Sequence, residues 1–282
     1  MKKIIFAATV FAMALIAACD YVAIPKEEYI PTPTPADTMI RKVLLEDLTG
    51  HTCPNCPAAG TKAIQLKAQY GERLVVMGVH MGSYADPVTP NYLDNFKTTA
   101  GNAYETFFVP IGYPTGMINR KGFPSGTHRV SNYQSLWQLN IDSILNRTVE
   151  ANIEISTSLV GNSLTVTAST KMLAQKNGPY QIVACIAEDS IISAQLNGTT
   201  YVPNYLHRHV FRGTIPDANV WGTLLFSSIA YANDAFTTNF PAYTLGGTWN
   251  VNNLYVVVYI FDDNSASPTY KEILQVEEKK LN

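Results

Sequence analysis

A short segment near the start of the chain constrains the fold most, because it places two cysteines between a predicted strand and a predicted helix. Residues 43–45 form an apolar run that precedes Gly50, which is typical of a buried strand followed by a turn. Residues 58–70 have the apolar spacing of a helix. Cys53 and Cys56 therefore fall at the helix N-terminus, where unpaired N–H groups and the helix dipole favour negative charge. We expect the pKa of the Cys53 thiol to lie below the value of about 8.5 of a free cysteine.

The two cysteines are expected to have different roles. Cys53 lies nearer to solvent and is the predicted nucleophile, whereas Cys56, one turn further in, is the predicted resolving thiol. A lone C-x-x-C motif is also compatible with half of a zinc site or with a disulfide that only closes a loop. The second cysteine pair of a usual zinc site is absent from the sequence. We therefore favour redox-active thiols and expect neither a metal nor a cofactor.

The same segment resembles a thioredoxin-type active site, with a strand, Cys-Pro-Asn-Cys, a helix and a second apolar strand at residues 74–79. In this resemblance Asp47 corresponds to the buried acid that transfers a proton to the resolving cysteine. Pro114, between Tyr113 and Thr115, corresponds to the cis-proline that faces the cysteines. The resemblance implies a thiol–disulfide oxidoreductase whose catalytic residues are Asp47, Pro114 and the two cysteines. Tyr113 is a departure from the family pattern.

Several other residues are candidates for chemistry. His51 lies two residues before the first cysteine, where an imidazolium would further stabilise a thiolate. For His80 a single structural hydrogen bond is favoured over a catalytic role. His207 and His209 share a face of one predicted strand at a spacing that can chelate a metal, but no acid or cysteine is nearby, so a half-exposed strand is favoured. Cys185 lies in an apolar strand pattern and is expected to be a small buried thiol.

The N-terminus has the features of an export signal. A basic start and an apolar run make residues 1–18 too short to span a membrane comfortably and typical of a signal peptide. The run ends in a Leu-Ile-Ala-Ala-Cys sequence that resembles a lipobox, which implies lipidation of Cys19; a plain signal cleaved nearby is the alternative. Acyl chains would anchor the protein in a membrane. Residues 19–39 carry four prolines and are predicted to form an extended tether.

Two domains are predicted after the tether. Residues 40–147 are expected to form an α/β thioredoxin-like domain, a mixed sheet flanked by helices with a helical insertion at residues 91–108. From residue 148 the apolar residues alternate with period two, and Gly161 and Asn162 indicate a hairpin turn. Residues 148–282 are therefore predicted to form an all-β, sandwich-like domain. Its further predicted strands lie at residues 180–187, 206–212, 254–261 and 272–276.

Composition excludes some classes of function. A net charge of −2 and a pI near 6.2 give no electrostatic basis for binding nucleic acid. The sequence contains no P-loop, G-x-G-x-x-G, H-E-x-x-H or G-x-S-x-G motif. Aromatic residues in the second half could stack on carbohydrate, but a place in the core is favoured for them; these residues are Trp221, Tyr231, Tyr243, Trp249 and Tyr255.

Taken together, the lipobox, the tether, residues 46–57 and residues 204–213 resemble the outer membrane protein 28-related lipoproteins of Gram-negative bacteria. The resemblance implies a cell-envelope, outer-membrane lipoprotein that faces the periplasm or the exterior. The leading hypothesis is a lipid-anchored thiol–disulfide oxidoreductase that acts on protein thiols and disulfides. The alternative is a surface lipoprotein that binds a host or envelope ligand and uses the thioredoxin-like domain as a non-catalytic scaffold.

Overall fold

The computed structural model describes residues 39–123 and 132–281 of the 282-residue chain. The predicted signal peptide at residues 1–18, the predicted lipidation site Cys19 and the tether up to residue 38 lie outside the described residues. Residues 39–282 form one compact unit. All of its hydrophobic clusters are built from residues within this segment, so it contains its own core.

The described residues contain three α-helices and sixteen strands, which together make a mixed α/β fold. The helices are α1 Cys56–Tyr70, α2 Thr99–Phe108 and α3 Gln134–Leu145. The strands are β1 Val43–Thr49, β2 Leu74–His80, β3 Thr115–Ile118, β4 Ala151–Val160, β5 Ser163–Met172, β6 Lys176–Asn177, β7 Tyr180–Glu188, β8 Ile191–Asn197, β9 Thr200–His207, β10 Val210–Thr214, β11 Thr223–Phe226, β12 Ile229–Ala230, β13 Ala235–Asn239, β14 Tyr243–Thr244, β15 Leu254–Asp262 and β16 Ile273–Lys280.

One large mixed sheet runs through both halves of the chain. Its strand order is β16-β15-β7-β10-β2-β1-β3, and β11 pairs with β7. The parallel pair β1–β2 continues into β10 through the pairing of Gly78 with Val210. The expected domain boundary at Arg147 lies between α3 and β4, but the strands on its two sides do not form separate sheets. Without β10, one side of β2 would be an unpaired sheet edge.

Helices and a second sheet cover this large sheet. In β1, Val43 and Leu45 face α1 and α3, whereas Leu44 and Leu48 face α2. The strands β7 and β15 alternate in the same way and send every second side chain toward a smaller sheet of β4, β5, β13 and β14. This alternation is the period-two pattern of strands with both faces buried.

Most predicted elements are present close to their expected positions, and the turn at Gly161 is confirmed. Gly161 has φ 58° and, together with Asn162, joins the paired residues Val160 and Ser163. The left-handed conformation of Gly161 suits the turn of a two-residue hairpin.

The helix predicted at residues 91–108 is wrong in its first half. The helix α2 begins only at Thr99, because Thr98 has extended backbone angles and its side chain accepts a hydrogen bond from the Gly101 N–H, at 2.9 Å. Such a side-chain cap satisfies one of the unpaired N–H groups at a helix start. Residues 91–98 instead form turns and irregular structure.

A buried ion pair joins the two halves of the chain on the α2 face of the sheet. Glu46 of β1 and Arg120 form two hydrogen bonds, of 2.8 and 2.6 Å, and both side chains are fully buried. Arg120 also donates to the hydroxyl of Tyr259 on β15, at 3.0 Å, and lies over the ring of Tyr104 on α2, at 4.3 Å from its centroid. The Tyr104 and Tyr259 hydroxyls are 2.9 Å apart. Three elements, β1, α2 and β15, therefore meet around one guanidinium group.

We predict that Glu46→Gln lowers the free energy of unfolding of residues 39–282 by about 3–5 kcal/mol, because it leaves the Arg120 charge buried without its partner. The double variant Glu46→Leu/Arg120→Met removes both charges and should lose less. Urea unfolding monitored by circular dichroism measures both. As a control, Arg147→Met removes a more exposed ion pair with Glu272 and should cost less than about 1 kcal/mol. Equal losses in Glu46→Gln and Arg147→Met would contradict this role.

Candidate functional site

The cysteine motif lies where the sequence predicts it, at the start of a helix. Cys56 is the first residue of α1, Asn55 is its N-cap, and Pro57 occupies the first turn. Cys53 and Cys56 form a disulfide, with their Cα atoms 5.4 Å apart. The first-turn N–H groups of a helix have no intrahelical partner and carry partial positive charge. In the reduced protein this position favours the thiolate form of a cysteine.

The proline loop lies at the same end of the sheet as the cysteine loop. The Tyr113–Pro114 peptide bond is cis, and Pro114 is buried. The strand β3 begins at the next residue, Thr115, which pairs with Leu48 near the end of β1. The Tyr113 hydroxyl donates a hydrogen bond to Glu105 of α2, at 2.8 Å. This bond ties the proline loop to α2.

The expectation that Cys53 lies nearer to solvent is wrong. Cys53 is 1% exposed and Cys56 is 3% exposed. The hairpin of β8 and β9, residues 191–207, covers the cysteine loop and is called the covering hairpin below. Its Gln195 Nε2 donates to the carbonyl of Cys53, at 3.1 Å. The backbone N–H groups of Leu196 and Gly198 donate to the carbonyls of His51 and Pro54, each at 2.8 Å. Since the hairpin follows the motif by about 140 residues, no local sequence signal predicts this contact.

The Asp47 carboxyl is buried and has a raised pKa. Its side chain is 5% exposed, and its Oδ1 has no hydrogen-bond partner among the described residues. Burial without a compensating charge raises the pKa of the Asp47 carboxyl to about 7. Asp47 and Cys56 line the same cavity. The Asp47 carboxyl and the inner cysteine therefore border the same space.

The histidines make contacts that the sequence did not predict. The Nε2–H of His51 donates to the Asp86 carbonyl, at 2.9 Å, and its ring stacks on Tyr92. His207 ends β9, whereas His209 has φ 45° and precedes β10. The single strand predicted at residues 206–212 is therefore wrong, because the chain turns between the two histidines. Among residues 39–123 and 132–281, no cluster of three or more His, Cys, Asp or Glu side chains could hold a metal ion.

His207, which was expected on a half-exposed strand, is buried and lies against a second imidazole. His80 at the end of β2 and His207 have ring centroids 5.6 Å apart, and Phe96 packs against both rings. Burial lowers the pKa of His207 to about 4, and burial together with His207 lowers the pKa of His80 well below its ordinary value. Both rings are therefore neutral at pH 7. Their proximity was not predicted, because 127 residues separate them along the sequence.

Two other candidates belong to the hydrophobic core. Cys185 is a free, fully buried thiol on β7, and burial raises its pKa. Trp221 packs against Tyr104 and Phe107, with ring centroids 5.2 and 5.1 Å away. The Trp221 ring is thus partly buried against the core, the place favoured for it from the sequence.

Comparison with known families identifies the chain. The sequence profile described as "Outer membrane protein Omp28" matches residues 101–282, which is more than half of the chain. The chain belongs to the Omp28 family. Membership implies association with the outer membrane. No helix of the described residues combines the length and the apolar character needed to cross a bilayer. No curated protein matches the chain in sequence.

Two solved structures share this fold. HBP35 of Porphyromonas gingivalis is 18% identical to the chain with a TM-score of 0.67, and the match covers 86% of this chain and 76% of HBP35. Protein AGR_C_4864 from Agrobacterium tumefaciens is 12% identical with a TM-score of 0.51, and the match covers 87% of this chain and 96% of that protein. At these identities the likeness establishes the fold alone.

We predict that Asp47→Asn changes the pH dependence of stability. The Asp47 pKa is about 7 in the folded protein and about 3.9 when unfolded. The folded state therefore binds the extra proton between these values, and the carboxyl lowers stability progressively as pH rises from 4 to 7. Relative to wild type, Asp47→Asn should gain up to about 4 kcal/mol between pH 4 and pH 8. Urea unfolding at both pH values measures this difference.

The control is Glu154→Gln, which removes an exposed carboxylate on β4. Its stability relative to wild type should be the same at pH 4 and pH 8 to within about 0.5 kcal/mol. An Asp47→Asn difference that also stays constant with pH would contradict the raised pKa of Asp47.

Proposed function

We propose that this protein is a lipid-anchored thiol–disulfide oxidoreductase of the cell envelope with a thioredoxin-like active site. The observation that supports the proposal most is the environment of the cysteine pair. A disulfide at the start of α1 shares a cavity with Asp47, a buried carboxyl with a pKa of about 7. Groups that transfer protons at neutral pH need a pKa of this kind. A disulfide that only closes a loop requires no such acid.

In the proposed reaction the reduced Cys53 thiolate attacks one sulfur of a partner disulfide. That bond breaks, one partner sulfur leaves as a thiolate, and a mixed disulfide joins Cys53 to the partner. Cys56 then gives its proton to the Asp47 carboxylate and attacks the Cys53 sulfur. The Cys53–Cys56 disulfide forms, and the second partner sulfur leaves and takes up a proton. The partner is reduced and the cysteine pair is oxidised; the reverse sequence oxidises a partner dithiol.

Access to Cys53 requires a movement of the covering hairpin. Gln195, Leu196 and Gly198 bond to the cysteine loop, in which Cys53 is buried. A partner peptide would replace these contacts and lie beside Pro114 in an extended conformation. Proposed partners are protein thiols and disulfides of the periplasm or the cell surface. Acyl chains on Cys19 would hold the enzyme at the membrane, and residues 19–39 would extend the folded unit from it.

The burial of both cysteines also supports a second function. Both cysteines are almost inaccessible, and the covering hairpin fixes their loop through backbone and side-chain hydrogen bonds. These features fit an outer-membrane lipoprotein that binds a host or envelope ligand and in which the disulfide is structural. The two functions are separated by measuring whether the cysteine pair catalyses thiol–disulfide exchange.

We predict that residues 39–282 accelerate the reduction of insulin by dithiothreitol, followed as turbidity from the precipitating insulin B chain. Cys53→Ser should reduce the rate to that of dithiothreitol alone, because the nucleophile is lost. Cys56→Ser should accumulate a mixed disulfide with the substrate, visible as a larger species on a non-reducing gel, because the resolving thiol is lost.

Cys185→Ser is the matched control, since it removes a buried thiol outside the site. It should leave the rate of insulin reduction unchanged. The proposal fails if wild type is no faster than dithiothreitol alone, or if Cys53→Ser retains the wild-type rate.

A further inference from the structure

A cavity of about 350 Å³ lies behind the cysteine loop. Its walls come from α1, from the ends of β1 and β2, and from the covering hairpin together with the turn that follows it. The size falls within the range of about 300–1,000 Å³ that is typical of small-molecule sites. Cys56 contributes to the wall, whereas Cys53 does not.

Buried polar groups without partners line this cavity. Among the described residues, at least one ring nitrogen of His80 has no hydrogen-bond partner, and the same is true of Nε2 of His207 and Oδ1 of Asp47. These side chains are 3%, 4% and 5% exposed. A buried polar atom without a hydrogen bond costs about 1–3 kcal/mol. Three such side chains along one cavity wall indicate that a guest supplies hydrogen bonds there.

Apolar side chains also line the cavity, next to a glycine that the chain's own packing does not require. Ala63 and Ile64 lie on α1 together with Gly60, and Val76 lies on the same face of β2 as His80. Glycine in a helix interior is less stable than alanine by about 1 kcal/mol. A Cβ atom at Gly60 would have only the Tyr205 hydroxyl within 4 Å, at an ordinary 3.5 Å. Because Gly60 has no side chain, open space remains on the side of α1 that lines the cavity.

The charges around the cavity favour an uncharged guest. Lys67 is paired with Glu278 and also donates to the Leu74 carbonyl. Arg208 is paired with Asp189, at 2.9 Å. Both cations thus have partners of their own, and the imidazoles inside are neutral at pH 7. An anion in this space would lose its hydration without gaining a counter-charge, and a cation would meet only the Asp47 carboxyl, which is about half protonated at pH 7.

We propose that this cavity is a binding site for an uncharged small molecule that has an apolar body and one hydrogen-bonding group. The apolar body lies against Ala63, Ile64 and Val76 and occupies the space beside Gly60. The polar group bonds to His80 or His207. This proposal is independent of the redox function, and the bound molecule would contact the inner cysteine of the pair.

The test uses N-phenyl-1-naphthylamine, an uncharged aromatic probe with one N–H donor whose fluorescence rises in apolar surroundings. Residues 39–282 should bind it saturably with one site per chain. Gly60→Leu places a side chain in the cavity and should weaken binding at least tenfold. Gly60→Ala is the matched control and should bind within about threefold of wild type while gaining thermal stability. Melting curves of both variants establish that they are folded.

A second variant tests the polar wall. His207→Phe keeps an aromatic ring but removes the acceptor nitrogen, so it should weaken binding of the probe by about twofold to tenfold, the loss expected for one hydrogen bond. Binding that remains unchanged in Gly60→Leu would place the probe elsewhere and overturn the proposal. The absence of saturable binding to wild type would overturn it as well, since the cavity would then hold water only.

Discussion

A fully buried charge pair joins the two halves of the chain on one sheet. Glu46 extends from the α2 face of β1, and Arg120 reaches it from the residues after β3. Tyr259 of β15 completes the contact across the sheet. A buried guanidinium needs a counter-charge and hydrogen bonds, which Glu46 and Tyr259 supply to Nε and Nη2 of Arg120. The N-terminal β1–α1–β2 unit and the C-terminal strands therefore adopt this arrangement together.

The other face of β1 carries Asp47, which lines the cavity beside the inner cysteine. Asp47 follows Glu46 and consequently faces α1, because successive side chains of a strand alternate between the two faces of a sheet. One carboxylate is thus neutralised by an arginine and stabilises the fold, whereas its neighbour is buried without a counter-charge and has a raised pKa. The covering hairpin completes this environment by shielding the cysteine pair from solvent. Two adjacent residues of β1 therefore serve different purposes: Glu46 joins the halves of the fold, and Asp47 belongs to the cysteine site.

The sequence predicts the parts of the site that depend on local patterns. The apolar run of β1, the helix start at Cys56 and the proline loop at Pro114 follow from short-range spacing and turn residues. Contacts between distant segments could not be predicted in this way. Arg120 shows no periodicity that would indicate Glu46 as its partner, and Gln195 lies in an ordinary strand pattern. The break after His207 was also missed, because a left-handed residue at His209 is uncommon for a side chain other than glycine.

The central claim is that the cysteine pair exchanges electrons and does not merely close a loop, and its reduction potential tests this most directly. The measurement equilibrates residues 39–282 with graded ratios of reduced and oxidised dithiothreitol and determines the fraction of free Cys53 and Cys56 by alkylation and mass spectrometry. The account predicts a potential between about −270 and −120 mV, the range of thiol–disulfide oxidoreductases. A value below about −300 mV, as in structural disulfides of secreted proteins, would contradict it.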